Sequence, residues 1–138
     1  MTIYIETSAF LRIVLREPGA LDELRSHDAL VSSEIIAVES LRTLDRLRVQ
    51  GVLTSAEAAD RRAIVSEWLE GIDLILLRPP VMSRAAEPLP TPLGTLDALH
   101  LATALVWRDR IRDLPVIATH DGALALASRS FGFEVYGA

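Results

Sequence analysis

Short apolar runs alternate with longer amphipathic segments along the whole chain. Runs rich in β-branched residues predict strands at Ile3 to Ile5, Ala29 to Ser32, Val116 to Thr119 and Glu134 to Tyr136. Ile72 to Leu77 is a near-continuous apolar run of strand length, which predicts a central parallel strand buried on both faces.

The segments between these runs carry apolar residues at helical spacing. Ser33 to about Val49 predicts a helix that stops at Gly51. A capping box, Thr54-x-x-Glu57, begins the next helix, which runs to about Glu70 and should form a hairpin with the first. The other predicted helices are Ala9 to Leu15 with Thr7 or Ser8 as cap, Pro18 to Arg25, a short one after Pro79-Pro80, one from a Thr95 cap to about Arg108, and Ala123 to Ser130.

This alternation predicts an α/β fold: one domain over residues 1–138, with a central, mostly parallel sheet and helices on both faces. The Pro-rich stretch from Pro88 to Gly94 is expected to be a loop inside that domain, since the residues beyond it are too few for a second core. Open parallel sheets bind ligands at the carboxyl ends of their strands, so polar residues there are the candidates for function.

The amino-acid composition excludes several kinds of catalytic and binding site. The chain contains no Cys and no Lys, which excludes disulfides, cysteine-based zinc sites, Walker A loops, Schiff-base enzymes and phospho-aspartate hydrolases. No G-x-G-x-x-G or G-x-S-x-G motif occurs. A net charge of −5 argues against a broad nucleic-acid-coating face, although not against a small catalytic encounter.

Neither a secretory signal nor a membrane anchor is apparent. The opening MTIYIETSAF lacks a basic region and is interrupted by Glu6. No apolar run approaches the roughly 18–20 residues of a membrane span. We therefore expect a cytoplasmic protein that does not bind membranes.

Four acidic residues stand out at the ends of strands and the starts of helices. Glu6 ends the first strand, Asp121 follows the strand at Val116 to Thr119, Asp97 lies in an otherwise apolar helix, and Glu39 lies on the helix that follows the second strand. Each taken singly has an ordinary explanation: Asp97 complements a helix dipole, Asp121 caps a helix, and Glu39 is solvated beside Arg42. Glu6 alone demands a partner, because it leaves a buried strand.

Taken together, these acids would repel one another around one sheet edge unless a cation held them. Oxygen ligands without Cys or a His pair favour Mg²⁺ or Mn²⁺ over zinc. Histidine offers a competing chemistry at His27, His100 and His120, but none forms an H-E-x-x-H motif. For His100 a packed or capping imidazole is favoured over a metal-binding or base role, and His120 is a weaker candidate for orienting substrate.

Four segments resemble the PIN-domain nucleases, most closely toxins of the VapC type, over essentially the whole chain. They are Ile3-Tyr-Ile-Glu6-Thr-Ser8-Ala-Phe10, Ser32-Ser-Glu-Ile-Ile-Ala-Val-Glu39, Thr95-Leu-Asp97-Ala-Leu-His100-Leu-Ala-Thr-Ala-Leu105, and Thr119-His-Asp121 followed by Leu124-Ala125 and Gly132-Phe-Glu-Val135. In this sequence Glu6 stands where the family usually has Asp, which moves the carboxylate outward by a methylene and leaves reduced activity or a different metal preference as an expectation.

The resemblance implies a metal-dependent endoribonuclease. Glu6, Glu39, Asp97 and Asp121 would bind Mg²⁺ or Mn²⁺ and activate water, and Ser8 and Thr119 would hydrogen-bond the acids or the scissile phosphate.

The resemblance also implies partners. These are a VapB-like antitoxin, an RNA substrate such as a transfer RNA or ribosomal RNA loop, and a second copy in a homodimer. The hairpin from Ser33 to Glu70 is the candidate surface for the antitoxin and dimer contacts. Candidate RNA contacts are Arg42, Arg46, Arg108 and Arg112. A catalytically weak PIN-like binding module and a metal-dependent DNase remain alternatives.

Overall fold

The sheet is parallel throughout. A computed structural model describes residues 1–21, 24 and 29–138. Its strands are β1 (Thr2–Ile5), β2 (Ala29–Ser33), β3 (Ile72–Ile75), β4 (Val116–Ala118) and β5 (Val135–Tyr136). They are ordered β3-β2-β1-β4-β5, and every neighbouring pair is parallel. The predicted α/β class is confirmed.

Helices connect these strands, mostly at the predicted places. They are α1 (Thr7–Val14), α2 (Ile35–Val49), α3 (Ser55–Leu69), α4 (Pro79–Ala85), α5 (Thr95–Ile111) and α6 (Gly122–Ser130). The predicted helix from Pro18 to Arg25 lies partly outside the described residues; residues 18 and 19 form a turn, and 20 and 21 have no regular structure. Within the described ranges no helix is both long and apolar enough to span a bilayer.

The alternation of side chains along β1 divides the core between the two faces of the sheet. Ile3 and Ile5 pack with Phe10, Ile36 and other residues of α1, α2 and α3 on one face. On the other face Tyr4, which lies between them in sequence, packs with residues of α5 and α6: Leu101, Ala104, Leu105, Leu124 and Ala127. The expectation of helices on both faces is therefore confirmed.

The prediction of a central strand at Ile72 to Leu77 is wrong. β3 is shorter, and it forms an edge of the sheet, paired only with β2 in the described part of the chain. Leu74 in β3 is 36% exposed and Leu76, just beyond its end, is 47% exposed, so the run is not buried on both faces. Asp73, exposed on the same strand, interrupts the apolar run as charges on edge strands commonly do.

The parallel topology brings the starts of several helices to one edge of the sheet. α1, α2 and α6 follow β1, β2 and β4 almost directly, so they begin at the carboxyl edge. α5 leads into the amino end of β4, so its own N-terminus lies at the carboxyl edge as well. Residues near these helix starts are therefore neighbours despite their distance in sequence.

The α2–α3 hairpin gives a direct test of the predicted capping box. The Thr54 hydroxyl accepts from the Glu57 backbone N–H at 3.1 Å, and the Glu57 carboxylate accepts from the Thr54 N–H at 3.0 Å.

Thr54→Ala should lower the free energy of unfolding by about 1 kcal/mol, because it exposes an unpaired N–H at the helix end. Urea denaturation measures this loss. Thr54→Ser retains the hydroxyl and should stay near the wild type; equal losses in both variants would contradict the capping role.

Candidate active site

Glu6 is a buried carboxylate at the end of β1, with 4% of its surface exposed. Its Oε2 accepts hydrogen bonds from the hydroxyls of Ser8 and Thr119, the latter at 2.7 Å. Each hydroxyl has one proton, so with both directed at Glu6 the 3.2 Å contact between the two oxygens is not a third hydrogen bond. The partner that a buried carboxylate requires is thus supplied by side chains of two different elements.

The same hydroxyls fasten the loop after β4 to the start of α1. The backbone N–H of His120 donates to Ser8 Oγ at 2.9 Å, and that of Asp121 donates to Thr119 Oγ1 at 3.0 Å. The Glu6 N–H also donates to the Ala118 carbonyl at 2.9 Å. Two sequence-distant candidate motifs are therefore joined in one hydrogen-bonded unit.

Glu39 lies on α2 and faces inward, with its side chain 18% exposed. Its Oε1 lies 2.7 Å from Thr7 Oγ1 and 2.7 Å from His100 Nε2. Burial alone would raise the pKa of Glu39, but the hydrogen bond from His100 and its electrostatic attraction, with the hydrogen bond from Thr7, lower it below its ordinary value. The interpretation of Glu39 as a solvated partner of Arg42 is wrong, because Arg42 pairs with Asp45 at 3.2 Å instead.

His100 is packed into the core, as the sequence favoured, with 1% of its surface exposed. Its Nδ1 lies 2.7 Å from the hydroxyl of Tyr4, which is itself buried in β1. Burial raises the pKa of Tyr4, so its hydroxyl keeps its proton. The contact between His100 and Glu39 was missed from sequence; the one available signal was the position of His100 a single helical turn after Asp97.

Asp97 lies in the first turn of α5, as predicted, and is partly buried. Its pKa is raised from 3.8 to about 6, first by burial and then by the negative charges of Asp121, Glu6 and Glu39, against which His100 acts in the opposite direction. Asp97 therefore lies within electrostatic reach of each of the other candidate acids.

Asp121 is the N-cap of α6, because its Oδ1 accepts from the Leu124 N–H at 2.9 Å. This confirms the capping interpretation, and it does not remove the carboxylate from the cluster, since its charge raises the pKa of Asp97. By contrast, the predicted caps Thr7, Ser8 and Thr95 are wrong: Glu6 and Gly94 occupy the N-cap positions of α1 and α5. The hydroxyls of Thr7 and Ser8 bind carboxylates instead.

The other histidines contribute little to this group. The ring of His120 points to the chain end, with Nδ1 3.0 Å from the Gly137 carbonyl oxygen, and only its backbone joins the acidic cluster. His27 lies outside the described residues.

The four candidate acids influence one another electrostatically, but they do not form a preformed metal-binding site. Over residues 1–21, 24 and 29–138, no three His, Asp or Glu side chains lie close enough together to hold a metal ion. Mg²⁺ usually retains several waters and binds one or two carboxylates directly, so it does not require such a cage. A set of carboxylate and hydroxyl oxygens with excess negative charge fits a hydrated hard cation better than zinc.

Comparison with known proteins agrees with this architecture. The PIN domain family model matches residues 3–129. Ribonuclease VapC46 of Mycobacterium tuberculosis is 35% identical, with 96% of this chain and 95% of that protein covered. Ribonuclease VapC47 of Mycobacterium tuberculosis is 31% identical, with 95% of this chain and 93% of that protein covered.

A solved structure supports the fold independently. One chain of the crystal structure of VapBC2 from Rickettsia felis bound to a promoter DNA fragment superposes with a TM-score of 0.68 at 12% identity, covering 99% of this chain and 98% of that chain. The sheet order, the position of the acids and the family match lead to one conclusion: the chain belongs to the PIN domain family, with VapC ribonucleases among its relatives.

Proposed function

We propose that this protein is a Mg²⁺- or Mn²⁺-dependent endoribonuclease toxin of the VapC type, which hydrolyses RNA phosphodiester bonds and is neutralised by a VapB-like antitoxin. The observation that carries the metal-dependent chemistry is the convergence of the candidate acids at one sheet edge: Thr119 donates to Glu6 and accepts from the Asp121 N–H, and Thr7, next to Glu6 in sequence, donates to Glu39. The preference for RNA is supported by the relatives named as ribonucleases.

The residues that would hold the cation are Glu6, Glu39, Asp97 and Asp121. A divalent cation supplies polarisation of a phosphoryl oxygen, activation of water and stabilisation of the leaving oxygen. Asp97 is best suited to respond to it, because its pKa shows that the ionised form is disfavoured by neighbouring negative charge. Neutralising that charge stabilises the ionised carboxylate.

The remaining polar groups hold the carboxylates in place. Ser8 and Thr119 direct their protons at Glu6, which supports their role in orienting an acid more than in binding phosphate. These contacts also bear on Glu6, which stands where the family resemblance leads us to expect an Asp. The longer side chain is buried and anchored through its Oε2, so the extra methylene is accommodated rather than left mobile.

The proposed biology includes an antitoxin, a homodimer and a transfer or ribosomal RNA substrate in the cytoplasm. Val38 on α2 is 61% exposed, and Val49 and Val52 at the α2–α3 connection are 70% and 64% exposed, which supports the hairpin as the protein-binding surface.

The arginines proposed for RNA binding differ in their surroundings. Arg108 already makes contacts within the protein: it donates to the Phe131 carbonyl at 2.8 Å and lies over the Phe133 ring. Arg42 lies beside Asp45 at 3.2 Å. Arg46 and Arg112 are exposed and therefore the better placed to contact RNA.

Asp97→Asn should reduce RNA cleavage by about 100-fold or more, because the amide keeps the shape but removes a charged ligand. The measurement is the cleavage rate of labelled RNA by antitoxin-free protein, with Mg²⁺ and with chelator. Asp109→Asn, at an exposed position near the other end of α5, is the matched control and should cleave normally. A folded Asp97→Asn variant that cleaves like the wild type would refute the assignment.

The same assay separates the alternatives. RNA and DNA of matched sequence are supplied side by side, and we expect Mg²⁺-dependent cleavage of RNA. Preferential DNA cleavage would establish a DNase. RNA binding without chelator-sensitive cleavage would establish a binding module in place of the nuclease.

In chelator, the contribution of Asp97 to the free energy of unfolding should fall as pH rises from about 4 to about 6. The pKa of Asp97 is raised from 3.8 to about 6 in the fold, so over this interval the native state binds more protons than the unfolded state and each step upward favours unfolding. Asp97→Asn should remove this dependence and gain about 1 kcal/mol at pH 7, well below the full shift because the group is partly solvated.

Thermal unfolding across this pH range, with chelator and with Mg²⁺, tests that expectation. Mg²⁺ should raise the unfolding temperature of the wild type more than that of Asp97→Asn. If the unfolding temperatures of the wild type and Asp97→Asn change by the same amount between pH 4 and 6, the proposed repulsion between Asp97 and the other acids is contradicted.

A further inference from the structure

Behind Glu39 lies a buried chain of polar groups whose role the proposed nuclease site does not yet explain. It runs from the Tyr4 hydroxyl through the His100 ring to the Glu39 carboxylate, with contacts of 2.7 Å at both ring nitrogens. Tyr4 and His100 are each 1% exposed. We propose that His100, held by Tyr4, is a positioning residue that fixes the orientation of the Glu39 carboxylate toward the cation. This inference rests on the proposed function.

The direction of each hydrogen bond follows from the groups present. An ionised carboxylate can only accept, so His100 Nε2 must carry the proton that faces Glu39 Oε1. The Thr7 hydroxyl donates to the same oxygen at 2.7 Å, so its proton is not available to His100 Nε2, which lies 3.1 Å away. His100 therefore acts on Glu39 as a donor.

Tyr4 determines which ring nitrogen carries that proton. Its hydroxyl oxygen accepts from the Ser33 backbone N–H at 3.2 Å, and its own proton has His100 Nδ1 as an acceptor at 2.7 Å. A neutral imidazole has one donor and one acceptor nitrogen, so accepting at Nδ1 places the N–H at Nε2. The rings of Tyr4 and His100 also meet edge to face, with centroids 5.9 Å apart, which limits rotation of the imidazole.

As a result, within the part of the chain that the structure describes, one oxygen of the Glu39 carboxylate is occupied by hydrogen bonds and the other is not. Among the described residues, the hydrogen bonds from Thr7 and His100 both end on Glu39 Oε1. The other oxygen, Oε2, is the one that remains for a ligand. Partners of this kind behind a metal-binding group typically change metal affinity by about 10–100-fold when they are removed.

Two matched substitutions separate orientation from packing. His100→Gln can place an amide N–H near the position of Nε2 and so keep the contact to Glu39. His100→Asn has the same chemistry one methylene shorter and reaches only as far as Nδ1, near Tyr4. Both remove the ring, so a merely structural role predicts equal effects.

Mn²⁺ affinity, followed by the electron paramagnetic resonance signal of free Mn²⁺, is the first measurement. We expect His100→Asn to weaken binding by about 10–100-fold and His100→Gln by about threefold or less. Tyr4→Phe, which leaves Glu39 and His100 in place, should weaken it by a smaller factor. Tyr4→Phe should have no further effect on Mn²⁺ affinity when it is combined with His100→Asn, because Tyr4 acts on Glu39 only through His100.

The outcomes distinguish this inference from the proposed function. If the wild type binds Mn²⁺ and Glu39→Gln weakens it, while His100→Asn binds as tightly as the wild type or no worse than His100→Gln, the positioning role is overturned and the metal site stands. If the wild type binds no Mn²⁺, the proposed function fails and this inference falls with it.

The protonated ring nitrogen can be observed directly in the wild type, even if a variant fails to fold. Two-bond proton–nitrogen correlation spectra of the metal-free protein should show the Nε2–H tautomer for His100. An Nδ1–H tautomer could not donate to Glu39 and would overturn the proposal.

Discussion

Carboxylates of like charge at one edge of a parallel sheet impose the constraint on which the rest of this structure depends. Glu6, Glu39, Asp97 and Asp121 are brought there by the topology, and burial makes their repulsion costly. Hydrogen bonds from neighbouring groups stabilise these carboxylates to different degrees. Two hydroxyls hold Glu6, a histidine and a threonine hold Glu39, and a helix N-terminus holds Asp121. Asp97 is the least compensated, because burial and the neighbouring negative charges raise its pKa.

This compensation alters the local structure around it. Thr7 and Ser8, the predicted caps of α1, donate to Glu39 and Glu6 instead. Glu6 occupies the N-cap position and makes no side-chain cap hydrogen bond. A functional site commonly breaks a local folding rule in this way, and the surrounding core sustains the loss. Here Phe10, Ile3 and Ile5, all fully buried on one face of the sheet, hold β1 and α1 in place.

The sequence predicted most of the fold because both periodicities are local properties. The helical spacing from Ser33 to Val49 and the capping box at Thr54 depend on near neighbours, and both are confirmed. Position in the sheet is not local. A short apolar run looks alike in a central and an edge strand, so the pattern does not locate β3 in the sheet; Asp73 is the one residue of the run that indicates an edge.

The candidate acids could be selected from sequence because strand ends and helix starts must meet at one edge, but their partners could not. Glu39 binds a histidine 61 positions away, and helical spacing suggested Arg42 instead. The sequence identifies Tyr4 only as a strand residue, since nothing in a β-strand pattern reveals that its hydroxyl contacts His100 across the core. Side-chain pairing between distant elements becomes visible only in three dimensions.

The central claim is that these acids share one cation pocket. Crystals of the catalytically intact protein grown with Mn²⁺ and measured for anomalous scattering would locate the cation directly. The account predicts a manganese peak at the carboxyl edge of the sheet, bounded by the carboxylates of Glu6, Glu39, Asp97 and Asp121. A peak elsewhere, with these side chains turned away from one another, would contradict it.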